Sequence, residues 1–381
     1  MKIGLFALET GRDVGGLEVY ERNLIQALAK VDEVNEYVVF SLDARVPELL
    51  EVKARNFEHV VLPVNRYRGV LWDAPRAMAS AGLDLFHAMF VPPPITSVPY
   101  VFTHHGTEIT ERPDFYPFAL GLRMRLLVRR AFRKAGLILC VSDFVRESLA
   151  NEGGIARERL KTVYCGVRSE FRPIAKELAR ERVGERWRLN RPYILVVGRI
   201  EPRKNPIRLL RAYHRFRSSN PHPPLLVFAG KKTWSGKEFD RTTKELQLEN
   251  DVVELGHVPH EDLPHLYAGA EFSVFASLWE GFGLAAVEAF AMGTPLISSN
   301  ATSLPEVCQG ASLEIDPNSV DELAVAMHRL HSNHELKEEL RCKGQMRAST
   351  FAWEETARQT IEGYQMLHRR VKRSNNHRAL D

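Results

Sequence analysis

The segment Glu280-Gly281-Phe282-Gly283-Leu284-Ala285-Ala286-Val287-Glu288 is the most informative part of this chain, because two carboxylates flank a glycine turn and an apolar run. The pattern predicts the end of a strand, a tight turn and a short buried helix from about Leu284 to Met292, which Gly293 and Pro295 terminate. Glycines let a ligand approach the backbone closely. The first N–H groups of the helix and its dipole favour an anion, such as a phosphate, over the turn.

The two carboxylates have two interpretations. Glu280 can be a charged residue of a surface loop, and Glu288 a partly exposed helix residue. Glu288, however, lies among apolar neighbours such as Val287 and Phe290, and a carboxylate in so apolar a helix is rarely buried without a partner. This context favours a functional role for Glu288.

Length and composition are those of an ordinary globular protein. The 381 residues suffice for two or three domains, and 44% of them are hydrophobic and 26% charged. The net charge of +4 does not predict a nucleic-acid partner, and no nucleic-acid-binding motif is present. Four scattered cysteines without a Cys-x-x-Cys pair indicate reduced thiols in the cytosol. The N-terminal apolar run reads as a strand rather than a signal peptide, and no run approaches the ~20 residues that span a membrane.

The first half begins with a strand, a glycine loop and a helix. Lys2 to Leu8 reads as a parallel strand, Gly15 and Gly16 follow, and a helix is predicted from about Glu18 to Lys30. This order matches the phosphate-binding plan of Rossmann-like folds, although the Gly-x-Gly-x-x-Gly fingerprint is absent. A tight turn without a ligand is an equally good interpretation.

Three histidines end predicted strands in this half. His87 ends one strand, a stiff loop at Val91–Pro94 follows, and the next strand ends at His104 and His105. Open α/β sheets bind ligands at the carboxyl ends of their strands, so these histidines are candidate polar contacts. The alternative is that each is a packing residue.

A basic amphipathic helix is predicted within residues 115–142, which contain no acidic residue. One face is apolar and consists of Leu120, Met124, Leu127, Val128, Ala131 and Ala135. The other carries Leu122, Leu126 and six cations: Arg123, Arg125, Arg129, Arg130, Arg133 and Lys134. It is either a solvated surface helix or a surface that docks on an anionic membrane, where each cation contributes about 1 kcal/mol.

In the second half, a strand from Tyr193 to Val197 leads into a loop with one glycine and three cations, Arg199, Arg203 and Lys204. Arginine can bind a diphosphate with two parallel hydrogen bonds, and lysine can neutralise it. A charged surface loop is the alternative interpretation.

The spacing Glu-x7-Glu, followed by Ala-Met-Gly-Thr-Pro at 291–295 and Ser-Leu-Pro-Glu-Val at 303–307, resembles the C-terminal half of family 4 of the retaining glycosyltransferases. The resemblance covers nearly the whole chain and is strongest over 193–316. It implies an α/β protein of the GT-B fold, with two Rossmann-like domains facing a central cleft. We expect an N-terminal acceptor domain at 1–170, a linker at 171–190, a nucleotide-sugar donor domain at 191–350, and at 351–381 a C-terminal helix that crosses back to the N-terminal domain and ends in a basic frayed tail.

The resemblance also implies residue roles. Glu280 would contact the transferred sugar, and His105, with His104 as the adjacent alternative, would lie close to it. His87, which ends the preceding strand and would face the same cleft, would contact the acceptor. Donor binding would involve Gly15, Gly16, Arg199, Lys204, Val258, Phe282, Gly283, Leu284 and Glu288. Within this set, Arg199 and Lys204 would bind the donor phosphates, with Arg203 as the alternative arginine, and Glu288 the ribose.

The implied reaction transfers a sugar from a nucleotide sugar to an acceptor hydroxyl with retention of configuration. No Asp-x-Asp is present, so we expect no metal. Residues 198–205 and 299–307 look most like bacterial mannosyltransferases of cell-surface polysaccharide (O-antigen, lipopolysaccharide) assembly, which use GDP-mannose and lipid-linked acceptors. This suggests a cytoplasmic protein, peripheral at the inner face of the membrane.

Three alternatives remain open: a retaining transferase that uses a UDP-sugar, a nucleotide-sugar epimerase, and a non-catalytic, membrane-docked partner protein. The chain departs from its relatives in one segment, Cys165-Gly166-Val167-Arg168, where they often read Asn-Gly-Val-Asp. We expect this difference to affect the hinge region and not the donor site.

Overall fold

The computed structural model describes residues 1–12, 15–63, 69–90, 92, 96 and 98–378, and the chain forms two compact units. The first unit combines Met1–Gly166 with Ala352–Asp381, and the second is Val167–Phe351. Apart from Pro92, the predicted stiff loop Val91–Pro94 lies outside the described residues.

The first unit is built on a seven-stranded parallel sheet in the order β3-β2-β1-β4-β5-β6-β7. The strands are β1 Lys2–Ala7, β2 Glu36–Ser41, β3 Phe57–Val61, β4 Leu85–Ala88, β5 Tyr100–His104, β6 Leu137–Cys140 and β7 Leu160–Thr162. The helices are α1 Gly16–Val31, α2 Val46–Leu50, a π-helical turn Gly69–Asp73, α3 Ala74–Ser80, α4 Glu108–Glu111, α5 Phe118–Lys134 and α6 Asp143–Asn151, with 3-10 turns at Pro113–Phe115 and Arg157–Arg159. Most of the strands are apolar and buried, as expected for a parallel sheet covered on both faces.

The second unit has a six-stranded parallel sheet in the order β10-β9-β8-β11-β12-β13. The strands are β8 Tyr193–Val197, β9 Leu225–Ala229, β10 Val252–Gly256, β11 Phe272–Phe275, β12 Leu296–Ser299 and β13 Leu313–Ile315. The helices are α7 Lys176–Trp187, a 3-10 turn Pro202–Lys204, α8 Pro206–Ser218, α9 Gly236–Glu245, α10 Leu263–Gly269, α11 Leu284–Ala291, α12 Leu304–Cys308, α13 Val320–Ser332 and α14 His334–Ala348. Two apolar cores form, one containing Tyr267 and Phe290 and the other Tyr213 and Phe216.

The C-terminal helix α15, Trp353–Arg378, belongs to the first unit and packs against α1. It also lies against the sheet: the Tyr364 hydroxyl is 2.8 Å from Nδ1 of His87, and Gly363 lies close to Leu137 and Leu139. No helix of the described residues is long and apolar enough to cross a membrane.

The boundary between the units differs from the expected linker at 171–190. It falls after Gly166, and the residues that follow are part of the second unit. The physical reason is burial: Ala179 and Val183 of α7 are buried, and α7 packs against α10. A segment that is charged in sequence thus contributes one apolar face to the second unit.

Candidate functional site

The strand order of the second sheet reverses between β8 and β11: β9 and β10 are added on the side of β8, and β12 and β13 on the side of β11. The segments that follow β8 and β11 therefore start side by side at the carboxyl edge of the sheet. In open α/β sheets, ligands bind at such a switch point. The loop 198–205 and the segment 276–283 are the two segments that meet here.

These two segments form a buried ionic cluster around Glu280, which is 6% exposed. Lys204 Nζ donates to Glu280 Oε1 at 2.6 Å, and the Arg203 guanidinium donates to Oε2 at 2.9 Å. Arg203 also donates to Glu201 at 2.7 Å, and Lys204 Nζ lies 4.3 Å from the centre of the Phe275 ring. The structure therefore brings together the predicted residues Glu280 and Lys204.

The arginine in this cluster is Arg203, which the sequence analysis gave only as the alternative. Arg199 is exposed on the same loop. The reason is the 3-10 turn Pro202–Lys204, which places both Arg203 and Lys204 beside β11. Arg203 is further held by the carbonyl oxygen of Trp279, to which it donates at 3.1 Å.

The cluster shifts the pKa values of its members. Burial alone would raise the pKa of Glu280, but the adjacent Arg203 and Lys204 lower it below its ordinary value. Burial lowers the pKa of Lys204 despite the attraction of Glu280. Glu280 is therefore an ionised carboxylate whose charge is compensated inside the protein.

The turn after Glu280 is held by two hydroxyl groups that the sequence analysis did not assign. Ser303 Oγ is 3.0 Å from the carbonyl oxygens of both Glu280 and Phe282, and the N–H of Glu280 donates to Thr302 Oγ1 at 3.0 Å. Gly283 is the N-cap residue of α11 and has a φ of 110°. The predicted turn and helix are therefore present.

Glu288 forms a second buried ion pair within this unit. Its Oε1 accepts from the Arg168 guanidinium at 3.1 Å, and its Oε2 accepts from the Tyr267 hydroxyl at 3.3 Å. Arg168, which the sequence analysis placed in the hinge region, thus contacts one of the predicted donor-binding residues. The contact joins positions 120 residues apart, and no local sequence pattern signals it.

Val258 follows β10 and lies in the apolar core with its side chain 6% exposed. Its side chain is thus a packing group, and its backbone remains for the donor contact predicted for this residue. That contact stays a prediction.

In the first unit, two glutamates of α1 anchor the loop that follows β1, and the sequence analysis missed both. Glu21, which is buried, accepts hydrogen bonds from the N–H groups of Glu9 and Thr10 at 2.8 and 3.0 Å. Glu18 accepts from the N–H of Gly11 at 2.8 Å. Burial raises the pKa of Glu21 to about 8. Acidic residues at a helix start are usually attributed to the helix dipole, so no sequence pattern points to this role.

The predicted loop glycines lie at the start of α1. Gly15 has a φ of 81° and no neighbour within 4 Å of an added Cβ, and Gly16 is the first helical residue. Both are exposed. The positive φ explains a glycine at position 15, and the contact of both residues with a donor stays a prediction.

The three histidines differ in their environments. His105 is partly buried; its Nε2 is 2.7 Å from the Met89 carbonyl oxygen, so Nε2 carries the proton and Nδ1 is the nitrogen with a free lone pair. Burial lowers its pKa to about 4, which makes the ring neutral at neutral pH. His104 is buried against Phe132, with ring centres 4.9 Å apart.

His87 does not support the predicted acceptor contact. It is fully buried, and its ring nitrogens contact the Tyr364 hydroxyl at 2.8 Å and Thr103 Oγ1 at 2.7 Å. Burial lowers its pKa to about 3. The sequence pattern around His87 does not show this burial, because the helix that covers the end of β4 is α15, which is far along the chain.

The basic helix α5 is present and shows a mixed outer face. Val128 and Ala131 are buried, whereas Leu120 is 39% exposed although it belongs to the predicted apolar face. Phe118, Leu122 and Leu126 are 85%, 46% and 60% exposed. Of the six cations, Arg125 is partly buried and the others are exposed.

Comparison with known proteins defines the class. Residues 14–171 match the model described as Glycosyltransferase Family 4, and residues 179–347 match Glycosyl transferases group 1. The sucrose-phosphate synthase of Thermosynechococcus elongatus has the same fold, with a TM-score of 0.76 at 21% identity over 96% of this chain and 99% of that chain. The predicted GT-B fold class, with two Rossmann-like sheets, is confirmed.

Two curated relatives extend the comparison. The O-antigen chain mannosyltransferase B of Escherichia coli is 31% identical over 96% of this chain and 100% of its own length. The serotype-specific mannosyltransferase WbdA of Escherichia coli is 27% identical over 62% of this chain and 29% of its own length. The chain belongs to the family 4 glycosyltransferases, and it is an enzyme rather than a non-catalytic partner protein.

Proposed function

We propose that this enzyme is a retaining mannosyltransferase that moves mannose from GDP-mannose to a hydroxyl group of a lipid-linked saccharide during cell-surface polysaccharide synthesis. The observation that carries the proposal is the cluster of Glu280, Lys204 and Arg203 at the switch point of the second sheet. The names of the two mannosyltransferase relatives support mannose as the transferred sugar.

The cluster fits the charges that develop in this reaction. Breaking the bond between the sugar and the diphosphate places negative charge on the phosphate and positive charge on the sugar ring. Lys204, Arg199 and the N-terminus of α11, with the N–H groups of Phe282, Gly283 and Leu284, would stabilise the leaving diphosphate. Glu280 is an ionised carboxylate that Lys204 and Arg203 hold in place, and it would stabilise the positive charge on the sugar ring.

The acceptor would attack from the face that the diphosphate leaves, and the departing phosphate oxygen would take the proton of the acceptor hydroxyl. This route retains the configuration and needs no nucleophile beneath the sugar. His105 presents a neutral ring that can accept a hydrogen bond at Nδ1, which suits the predicted contact with a sugar hydroxyl. Glu288 would bind the ribose hydroxyls.

The mixed outer face of α5 supports a location at the cytoplasmic face of the membrane. Exposed leucines among exposed cations allow apolar insertion and attraction to anionic lipid at the same time. Such a location would bring the enzyme close to a lipid-linked acceptor.

A donor panel tests the proposal. Titration calorimetry would compare GDP, UDP, ADP, GDP-mannose, UDP-glucose and UDP-N-acetylglucosamine, with and without EDTA. We expect binding of GDP and GDP-mannose only, unaffected by EDTA. A preference for UDP would contradict the GDP-mannose assignment and retain the enzyme class.

The variant Lys204→Ala tests, in the same calorimetry experiment, whether Lys204 binds the donor phosphates. Loss of a charge-assisted hydrogen bond should weaken GDP binding by about ten- to a hundredfold. Lys237→Ala removes an exposed lysine of α9 and should leave binding unchanged. Equal affinities of the two variants would exclude Lys204 from the phosphate site.

A further inference from the structure

Arg168 is a buried charge in the segment that connects β7 to α7. It is 4% exposed, and its guanidinium lies 4.4 Å from the centre of the Phe171 ring. It donates to Glu288 at 3.1 Å and to Glu170 at 3.2 Å. An arginine that is held by two carboxylates and a ring is fixed in position, so it can in turn fix the groups that it contacts.

The Glu288 carboxylate is oriented from two sides. Arg168 uses one lone pair of Oε1, and the Tyr267 hydroxyl uses one of Oε2. A carboxylate offers about four acceptor positions, so each oxygen keeps one for a further donor. Two donors side by side match the two neighbouring hydroxyl groups of a ribose.

The charge of Glu288 depends on Arg168. Burial raises the pKa of Glu288. The neighbouring Arg168 and Tyr267 lower this pKa, and Glu170 raises it. In the described part of the chain, α12 and α14 also pack against α11 but contribute no side chain that bonds to this carboxylate. Removal of Arg168 would therefore raise the pKa of Glu288 further, and protonation would turn one acceptor oxygen into a donor.

We propose that Arg168 is a positioning residue for nucleotide binding: together with Tyr267 it fixes the orientation of Glu288 and supplies its countercharge, so that the carboxylate accepts both ribose hydroxyls. The inference rests on the proposed function, in which Glu288 contacts the ribose.

The test compares Arg168→Met with the wild-type enzyme by calorimetry, using GDP and 2′,3′-dideoxy-GDP at pH 6.5 and pH 9. The wild type should bind GDP more tightly than the dideoxy analogue by about tenfold or more at both pH values. In Arg168→Met this ratio should fall towards one at pH 6.5 and be larger at pH 9, because loss of the Arg168 countercharge raises the pKa of Glu288. Arg168→Lys, which keeps the charge, should retain most of the ratio at pH 6.5.

Two controls separate positioning from folding. Arg172→Met removes an exposed arginine of the same segment and should keep the wild-type ratio. Inorganic pyrophosphate should bind Arg168→Met as it binds the wild type, because it makes no ribose contact.

A tenfold ratio that persists in Arg168→Met at pH 6.5 would overturn the inference. A second contradicting result would be a loss of GDP affinity in Arg168→Met that is equal at both pH values and extends to pyrophosphate, since that would indicate a purely structural role. A wild type that binds GDP without distinguishing the dideoxy analogue would also overturn it. Failure of the proposed function looks different, because the wild type would then bind neither GDP nor GDP-mannose in the donor panel.

Discussion

Gly283 is the residue on which the geometry of the turn before α11 depends. Its φ of 110° is unfavourable for other residues, and an added Cβ would lie 2.7 Å from Leu304 Cδ2. Leu304 is fully buried at the start of α12, next to the Ser303 that holds the turn. A side chain at position 283 would therefore press against the buried Leu304 side chain.

We predict that Gly283→Ala lowers the free energy of unfolding of the second unit by about 2–4 kcal/mol, because backbone strain and a steric clash add up. Gly310→Ala is the matched control, since Gly310 has a φ of 76° and open space around an added Cβ. It should cost only about 1–2 kcal/mol. Urea unfolding measures both, and equal losses would show that Leu304 does not constrain the turn.

At the residue scale, sequence predicted contacts within motifs better than contacts across the chain. Glu280 and Lys204 were both predicted because each stands in a recognisable pattern after a strand, and parallel sheets place such segments together. Arg168 was placed in the hinge region, because its partner Glu288 is 120 residues away and buried arginine has no local signature. His87 was misassigned for the same reason, since Tyr364 is 277 residues away.

Among the elements, α5 is the helix on which the proposed membrane docking depends. Amphipathic periodicity predicted its cations correctly as a mostly exposed set, because charged side chains are rarely buried unless paired. The exposure of Leu120 was not predicted, since periodicity does not show which turns of a helix the rest of the chain covers.

We predict that Arg130→Glu combined with Arg133→Glu weakens binding to vesicles of anionic phospholipid by at least about tenfold, because each cation near such a surface contributes about 1 kcal/mol. Vesicle co-sedimentation measures this effect. Arg182→Glu combined with Arg211→Glu changes the net charge equally on exposed residues of α7 and α8 and serves as the control. Equal binding of both double variants would argue against docking through α5.

For the molecule as a whole, the order of strands and helices predicted Rossmann-like parallel sheets, because repeated strand–helix units lead to such sheets with a switch point in each, whereas the GT-B fold class came from the family resemblance. The boundary at Gly166 was not predicted, because a domain limit depends on which core buries a segment and not on its charge. The boundary lies before this segment because Ala179 and Val183 are buried in the second unit.

The proposed transfer of mannose with its configuration retained can be tested through the anomer that the enzyme first releases from GDP-mannose. Proton nuclear magnetic resonance would follow the slow hydrolysis of GDP-mannose by water, which requires no knowledge of the acceptor, with UDP-glucose as the control donor. We expect α-mannose to appear first, before mutarotation equilibrates the anomers, and UDP-glucose to stay intact. Initial release of β-mannose would contradict it.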